Sequence, residues 1–269
     1  MTNLSVSVVQ YLNTAPLIWG MLRGGQRGRF QMDFTTPGRC ADAVRDGRAG
    51  AGIIPSIELQ RIDGLEAVSG VSISSPGQVK SVLLISRTSI EGIHRVCLDA
   101  SSRTSAALVT ILLRRFYGLR PEIAEAEPDL KAMLERADAA LLIGDPALAF
   151  YTDPGRIKEE LQVYDLAAEW KKFTGLPFVF ALWAGPERAG LAKHAADFRA
   201  SRDYGLEHID EIAAEYAPLH GLSAEQVKIY LTQNINYNLE ESHREALRRF
   251  YDLAYSEGLV PAVQEIRFI

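Results

Sequence analysis

The chain has 269 residues, of which 47% are hydrophobic and 23% are charged, and its formal net charge is −5. This composition is typical of a folded globular protein, because the charge is too low for disorder and no apolar run is long enough to cross a bilayer. Nucleic acid is not expected as a partner, since phosphate binding requires clustered Lys and Arg and the sequence has no such basic stripe. A membrane is not expected as a partner either.

The first residues run directly into a strand pattern, without the basic and apolar segments of a secretory signal. This start predicts a cytoplasmic location. The cysteines Cys40 and Cys97 have neither CxxC spacing nor a cluster of histidines beside them. We therefore expect two free thiols, with no zinc site and no disulfide.

Short runs rich in Val and Ile alternate with helical patterns over the first two thirds of the chain. The predicted strands are 6–9, 50–54, 68–73, 81–85, 95–98, 139–143 and 179–183. The helical patterns between them lie at 15–22, 41–46, 104–117, 129–135 and 147–151. This alternation predicts an α/β fold with largely parallel sheets. From about residue 189 the pattern is helical only, over 195–216, 224–232 and 240–255.

Two predicted strands, at 81–87 and 179–183, continue without the turn and helix that usually follow. If these strands cross between lobes, residues 1–87 and 179–269 form one lobe and residues 88–178 form the other. In open α/β sheets, ligands bind at the carboxyl ends of strands. We therefore expect a ligand cleft between the lobes, lined by the strand-to-helix junctions.

The first two junctions contain residues that can cap a helix. Thr14 can cap the helix that Pro16 starts, and Asn13 then lies near the exposed helix N-terminus. Asn13 and nearby amides can alternatively bind an anion. At the second junction, Ser56 either caps a helical turn or shares the free amides with a ligand oxygen.

The junction at 98–106 carries more polar groups than capping requires, so Thr104 or Ser105 is expected to contact a ligand, while Arg103 can form a surface ion pair. At 141–147, Asp145 is either a helix cap or a general acid or base. Arg39 is a weaker candidate for holding a carboxylate.

Several common chemistries are not indicated. The sequence contains no GxGxxG, GxxxxGK[ST], GxSxG or HExxH motif. Its five histidines are scattered and none falls at a junction. A histidine-based catalytic triad or a metal site is therefore not expected.

At these junctions the sequence resembles the MqnA/MqnD family of the futalosine route to menaquinone. The similarity runs in motif form from residue 5 to about residue 183. The motifs are Tyr11-Leu12-Asn13-Thr14, Ile54-Pro55-Ser56-Ile57-Glu58, Ser75-Pro76-Gly77, Thr104-Ser105, Ile143-Gly144-Asp145-Pro146-Ala147 and Thr174-Gly175-Leu176-Pro177-Phe178-Val179.

The resemblance implies a type II periplasmic-binding-protein-like fold, with two α/β lobes, a ligand between them and a helical C-terminal tail. The branch that cleaves a cyclic futalosine carries a histidine in the segment where this chain has Asp145. The sequence is therefore more similar to the other branch, the chorismate dehydratases, which form 3-[(1-carboxyvinyl)oxy]benzoate. The implied partner is the small molecule chorismate, and no metal or organic cofactor is expected.

The resemblance and the junctions together suggest catalytic roles for Asn13, Ser81 and Asp145. The expected substrate-binding residues are Tyr11, Arg39, Ser56, Thr104, Ser105, Gly144 and Phe178. Two proton acceptors remain open: Asp145, or the enolpyruvyl carboxylate of the substrate while Asn13 and Ser81 fix its position.

Four aromatic residues are candidates either for covering the substrate ring or for core packing, namely Tyr11, Trp170, Phe173 and Phe178. The alternative functions are non-catalytic binding of a small anion, a ligand-sensing regulatory domain and the cyclic futalosine reaction. A regulatory domain would be expected to carry a basic helix-turn-helix segment, and the sequence shows none.

Overall fold

The computed structural model describes residues 3–153 and 161–269, and these form two mixed β-sheets surrounded by helices. The strands are β1 (Leu4–Val9), β2 (Phe30–Thr35), β3 (Ala51–Pro55), β4 (Leu65–Ala67), β5 (Ile73–Ser75), β6 (Val82–Ser86), β7 (Arg95–Asp99), β8 (Glu122–Ala126), β9 (Ala139–Ile143), β10 (Gln162–Asp165), β11 (Phe178–Pro186) and β12 (Arg267–Phe268).

The helices are α1 (Ala15–Leu22), α2 (Pro37–Arg45), α3 (Thr104–Ile111), α4 (Leu130–Arg136), α5 (Gly144–Thr152), α6 (Leu166–Thr174), α7 (Ala195–Glu207), α8 (Ile209–His220), α9 (Ala224–Ile229) and α10 (Glu241–Ser256). Two π-helical segments, Leu112–Phe116 and Tyr230–Asn234, directly continue α3 and α9. Among the described residues, no helix is both long and apolar enough to cross a membrane.

The first sheet has the strand order β12-β4-β11-β3-β1-β2, with β5 paired to β11. Strand β1 is hydrogen-bonded on both sides, in parallel to β2 and β3. This central position accounts for its Val-rich sequence, because both of its faces are covered. Strand β11 runs antiparallel to β3, β4 and β5. The prediction of a largely parallel sheet is therefore wrong here, and the sheet is mixed.

The second sheet has the order β10-β6-β9-β7-β8. Strand β7 is parallel to β8 and β9, whereas β6 runs antiparallel to β9 and β10. Because β6 lies wholly in this sheet and β11 wholly in the first, the segments that pass between the sheets are 76–81 and 175–177. We propose to draw the lobe boundaries at these two segments, which moves β6 from the first lobe to the second.

The C-terminal helices cover the first lobe, and α1 packs closely against α7. A Cβ atom on Gly205 would lie 2.0 Å from the carbonyl oxygen of Pro16, so only glycine permits this approach. Between the same helices, the Ser201 hydroxyl donates to the carbonyl oxygen of Leu17 at 2.8 Å. Helix α1 is apolar on all sides because it is enclosed in this way.

The sequence prediction missed strands β2, β8 and β10, which lie at the edges of the two sheets. Their residues are partly exposed, so they lack the continuous apolar runs of the central strands. The predicted strand at 68–73 is wrong over most of its length, since 68–72 connects β4 to β5. The amphipathic helix α6 was not predicted either.

Candidate active site between the two sheets

A cavity lies between the sheets, where several strand-to-helix junctions meet. Its lining residues are Val9, Tyr11, Asn13, Pro37, Pro55, Ile73, Val79, Ser81, Val82, Ser102, Arg103, Thr104, Ser105, Ile143, Gly144, Phe180 and Ala181. Most of them are apolar, and a few polar groups are placed among them. This is the usual composition of a small-molecule site.

Asn13 lies in the short 3-10 segment that joins β1 to α1, and it lines the cavity. Its Oδ1 atom is buried and has no hydrogen-bond partner among the described residues. Thr14 does not cap the helix, because its side chain makes no capping hydrogen bond. The capping prediction for Thr14 is therefore wrong, and Asn13 carries an unpaired acceptor at the cavity.

Ser81 ends the first crossing segment and also lines the cavity. The hydroxyl of Tyr230 donates to Ser81 Oγ at 2.8 Å. Tyr230 was not predicted as a site residue, because an aromatic residue in an apolar helical pattern normally indicates core packing. The π-helical segment that begins at Tyr230 is the structural signal, since such segments are frequent at functional sites.

Tyr11 and Gly144 meet across the cavity wall. A Cβ atom at Gly144 would lie 2.5–2.7 Å from atoms of the Tyr11 ring, and the φ angle of Gly144 is 63°. Both observations require glycine at this position. Burial raises the pKa of Tyr11 to about 12, although a hydrogen bond with Ser101 opposes the increase. The Tyr11 hydroxyl therefore stays protonated at neutral pH.

Asp145 is not among the residues that line the cavity. Its Oδ1 accepts a hydrogen bond from the Leu12 amide at 3.0 Å, and its Oδ2 lies 3.7 Å from Nδ1 of His220. Burial raises the pKa of Asp145, while the Leu12 amide and His220 oppose the increase. The carboxylate thus connects α5 to the segment before α1. It does not cap α5, and it does not line the cavity. His220 was not predicted as a partner of Asp145, because the two residues are far apart in the sequence.

Thr104 and Ser105 both line the cavity at the start of α3. The Thr104 hydroxyl oxygen accepts a hydrogen bond from the Ile57 amide at 3.2 Å. Ser56 is fully buried and donates to the carbonyl oxygen of Val179 at 2.8 Å. Ser56 is therefore neither a helix cap nor a cavity residue, and the Thr104 hydroxyl connects the two lobes.

Arg103 forms a second connection between the lobes. Its Nη2 donates to both carboxylate oxygens of Asp42 at 2.9 Å, and its Nη1 donates to Glu58 at 3.1 Å. The predicted ion pair therefore exists, but it bridges the lobes at the cavity and is only partly exposed. The expected carboxylate-binding residue Arg39 is exposed on α2 and does not line the cavity.

The aromatic candidates divide between core and cavity. Phe178 is 1% exposed and packs against Trp170 and Phe250, so its predicted contact with the substrate is not supported. Phe180, two residues further along β11, lines the cavity instead. Phe173 stacks on Phe116 away from the cavity lining. In the described parts of the chain, no group of three or more His, Cys, Asp or Glu residues is arranged to hold a metal ion.

Comparison with known proteins places this chain in a family. A family model described as menaquinone biosynthesis matches residues 4–256. The chain belongs to this menaquinone biosynthesis family. This chain is 31% identical over 258 residues to a protein from Thermus thermophilus named chorismate dehydratase. The alignment covers 90% of this chain and 91% of that protein. The family resemblance predicted from the sequence motifs is confirmed.

Solved structures show the fold of this family member. The protein AF1704 from Archaeoglobus fulgidus has a TM-score of 0.75 at 21% identity, covering 96% of this chain and 98% of that one. The periplasmic aliphatic sulphonate binding protein SsuA from Escherichia coli has a TM-score of 0.64 at 14% identity, with coverages of 99% and 93%. The predicted periplasmic-binding-protein-like fold is confirmed.

Proposed function

We propose that this protein is a chorismate dehydratase, a carbon–oxygen lyase that forms 3-[(1-carboxyvinyl)oxy]benzoate for menaquinone biosynthesis in the cytoplasm. The observation that carries the proposal is the 31% identity, over nine tenths of both chains, with a protein of that name. The match of the menaquinone biosynthesis family over residues 4–256 supports the same pathway.

The lining of the cavity suits this substrate. Tyr11 and Phe180 contribute aromatic rings to a mostly apolar lining, against which a six-membered ring can pack. The polar groups of Asn13, Ser81 and Ser105 lie at a few points around it. Such a site can enclose a flat ring and fix its polar substituents.

The reaction is an elimination in which atoms and electrons balance without an oxidant or reductant. The C–H bond at the ring carbon bearing the enolpyruvyl ether breaks, and its electron pair is delocalised through the adjacent double bond onto the ring carboxylate. The electron pair then returns to form the third double bond of the ring as the C–O bond to the neighbouring hydroxyl breaks, and the proton and the hydroxide leave together as water. Negative charge develops on the ring carboxylate, where preorganised hydrogen-bond donors lower the barrier. The free amides and hydroxyl at the start of α3, near Ser105, can supply such donors.

Asn13 is assigned to the leaving hydroxyl. Its buried Oδ1 lacks a partner among the described residues and can only accept a hydrogen bond. Both carboxylates of chorismate are ionised at neutral pH and are acceptors, so the ring hydroxyl is the substrate group that can donate to Asn13. Pairing this buried acceptor would also remove the energetic penalty of leaving it unsatisfied.

The proton acceptor is assigned to the substrate itself. Asp145 accepts a hydrogen bond from the Leu12 amide and is absent from the cavity lining. Its position supports the alternative in which the enolpyruvyl carboxylate removes the neighbouring ring proton. A carboxylate attached to the same molecule and held in the correct geometry can react at a high effective concentration.

One observation favours a second candidate function. His220 lies 3.7 Å from Asp145, the position at which the cyclic futalosine branch of the family carries a histidine. The cyclic futalosine reaction is therefore kept as the alternative. Non-catalytic binding of a small anion remains a third possibility, because solute-binding proteins share this fold.

The test is to incubate the purified protein separately with chorismate and with the cyclic futalosine, and to identify the products by chromatography and mass. We expect chorismate to lose one water and the cyclic futalosine to remain intact. Cleavage of the futalosine alone would move the assignment to the lyase branch. Binding of chorismate without turnover, measured by calorimetry, would indicate a non-catalytic protein.

A further inference from the structure

Tyr230 lies directly behind the polar wall of the cavity. It is 3% exposed and is absent from the cavity lining, so a substrate in the cavity would not contact it. Its hydroxyl donates a hydrogen bond of 2.8 Å to Ser81 Oγ, and Ser81 does line the cavity. The effect of Tyr230 on a ligand must therefore pass through its neighbours.

A phenol has one proton, and that of Tyr230 is directed to Ser81. The Ser81 oxygen is therefore the acceptor in this contact, and the Ser81 proton points away from Tyr230. Asn13 also lines the cavity.

Ser81 and Asn13 offer the cavity one hydrogen-bond donor and one hydrogen-bond acceptor. Asn13 Oδ1 remains an acceptor without a partner among the described residues. Ser81 Oγ already accepts from Tyr230, and no acceptor for the Ser81 proton occurs in the described parts of the chain. Ser81 can therefore donate to a ligand while Asn13 accepts from it. An alcohol is the functional group that both donates and accepts, so it matches this pair.

We infer that Tyr230 is a positioning residue that orients Ser81 as a hydrogen-bond donor toward the leaving hydroxyl of the substrate. The identity of that hydroxyl rests on the proposed function. Burial raises the pKa of Tyr230 well above its ordinary value, so its phenol keeps the proton that it donates to Ser81.

The backbone around Tyr230 supports a fixed position. The π-helical segment Tyr230–Asn234 is attached to the first crossing segment, because the Asn234 side chain donates to the carbonyl oxygen of Gln78 at 2.9 Å. Ser81 ends that crossing segment, and its own carbonyl oxygen accepts from the Gly144 amide at 2.8 Å. Tyr230 and Ser81 are thus held on elements that are tied together, as a precise hydrogen bond requires.

The first test is the kinetics of Tyr230→Phe, which keeps the buried ring and removes only the hydroxyl. We expect kcat for chorismate to fall by about tenfold to a hundredfold while KM changes by less than about threefold, because the lost interaction acts on the reacting group. In a Ser81→Ala background, the same substitution should lower kcat much less than it does alone, since the residue that Tyr230 orients is missing.

Tyr251→Phe is the matched control. Tyr251 is 2% exposed and its hydroxyl also makes one hydrogen bond of 2.8 Å, to the carbonyl oxygen of Ser56. We expect a similar loss of thermal stability with kcat unchanged. An unchanged kcat in Tyr230→Phe, or an equal fall in both variants, would overturn the inference.

The second test does not depend on turnover. Crystal structures of the wild type and Tyr230→Phe should show one orientation of the Ser81 side chain in the wild type, and altered or multiple orientations in the variant. Identical orientations in the two proteins would refute the positioning role. If the wild type leaves chorismate unchanged, the proposed function fails, and these orientations alone decide the role of Tyr230.

Discussion

Two polar segments border the cavity, and their side chains have different partners. In the segment 99–105, Arg103 binds Asp42 and Glu58, Thr104 accepts from the Ile57 amide, and Ser101 donates to Asp99. In the segment 11–14, by contrast, Asn13 Oδ1 is buried without a partner. The segment 99–105 also contains an unpaired buried atom, Oδ2 of Asp99, but Asp99 does not line the cavity. The more polar segment therefore mainly holds the protein together, and Asn13 presents an unpaired buried acceptor to the cavity.

This difference shows that the density of polar residues in a sequence does not measure their contact with a ligand. Buried polar groups are nearly always paired, so an unpaired one is the more informative observation. The four predictions below separate residues that hold the lobes together from residues that act on the substrate.

The largest effect is expected for Asn13→Ala. Removing the acceptor that orients the leaving hydroxyl should lower kcat/KM for chorismate by about a hundredfold, because a small displacement of a reacting group can cost about that much. Steady-state kinetics measure the loss. The melting temperature should change little, since Asn13 Oδ1 has no partner to lose among the described residues. A large fall in stability with near-normal kinetics would assign Asn13 to the architecture instead.

Arg103→Ala should mainly reduce stability. Glu58 is 3% exposed and would lose one of its two arginine partners, keeping Arg61 at 3.2 Å. Removing one partner of a buried ion pair typically lowers the free energy of unfolding by about 3–5 kcal/mol. Because Arg61 remains and Arg103 is partly exposed, we expect a loss of about 2–3 kcal/mol here. Urea denaturation gives the free energy of unfolding.

The control is Arg248→Ala, which removes an exposed pair with Glu241. Its expected cost is below about 1 kcal/mol. If Arg103→Ala is no more destabilising than this control, the Arg103 cluster does not hold the lobes together.

Gly144→Ala and Gly175→Ala form a matched pair. Both glycines have positive φ angles, 63° and 74°, so each alanine should cost about 1 kcal/mol from backbone strain. At Gly175 nothing lies within 4 Å of the added Cβ, whereas at Gly144 it meets the Tyr11 ring. Gly144→Ala should therefore destabilise the protein by about 1–3 kcal/mol more than Gly175→Ala does. It should also raise KM, because a displaced Tyr11 ring changes the shape of the cavity. Equal effects in stability and kinetics would show that the Tyr11 contact is unimportant.

The smallest effect concerns pH and Asp145. Burial raises the pKa of Asp145 in the folded state, so the folded protein binds this proton more tightly than the unfolded chain does. The wild type consequently loses stability as the pH rises from the ordinary Asp value, about 4, through the raised pKa. Asp145→Asn should be slightly more stable than the wild type at pH 7, and this advantage should disappear below pH 4.

Unfolding free energies at several pH values test this prediction. A less stable Asn variant at pH 7 would mean that the attraction between Asp145 and His220 outweighs the cost of burial.

The sequence predicted the fold class and much of the cavity, because both depend on local patterns. Central strands such as β3 and β9 are continuous apolar runs, and Tyr11, Asn13, Ser81 and Thr104 lie at or beside strand ends where ligands are expected. Edge strands were missed because their exposed faces interrupt the apolar pattern.

The remaining site residues depend on contacts that no local pattern encodes. Tyr230 reaches Ser81 across 149 residues of sequence, and His220 reaches Asp145 from the end of α8. Ser56 and Phe178 lie at the predicted strand ends, but their side chains turn toward the core. A position at a strand end is readable from sequence, whereas the direction of its side chain requires the packed structure.

The most direct test is a crystal structure of the protein with 3-[(1-carboxyvinyl)oxy]benzoate, the proposed product. We expect the aromatic ring between Tyr11 and Phe180, with the carbon that lost the hydroxyl facing Asn13 and Ser81. A product molecule bound elsewhere, or bound in this cavity with that carbon turned away from Asn13, would contradict the assignment of the active site.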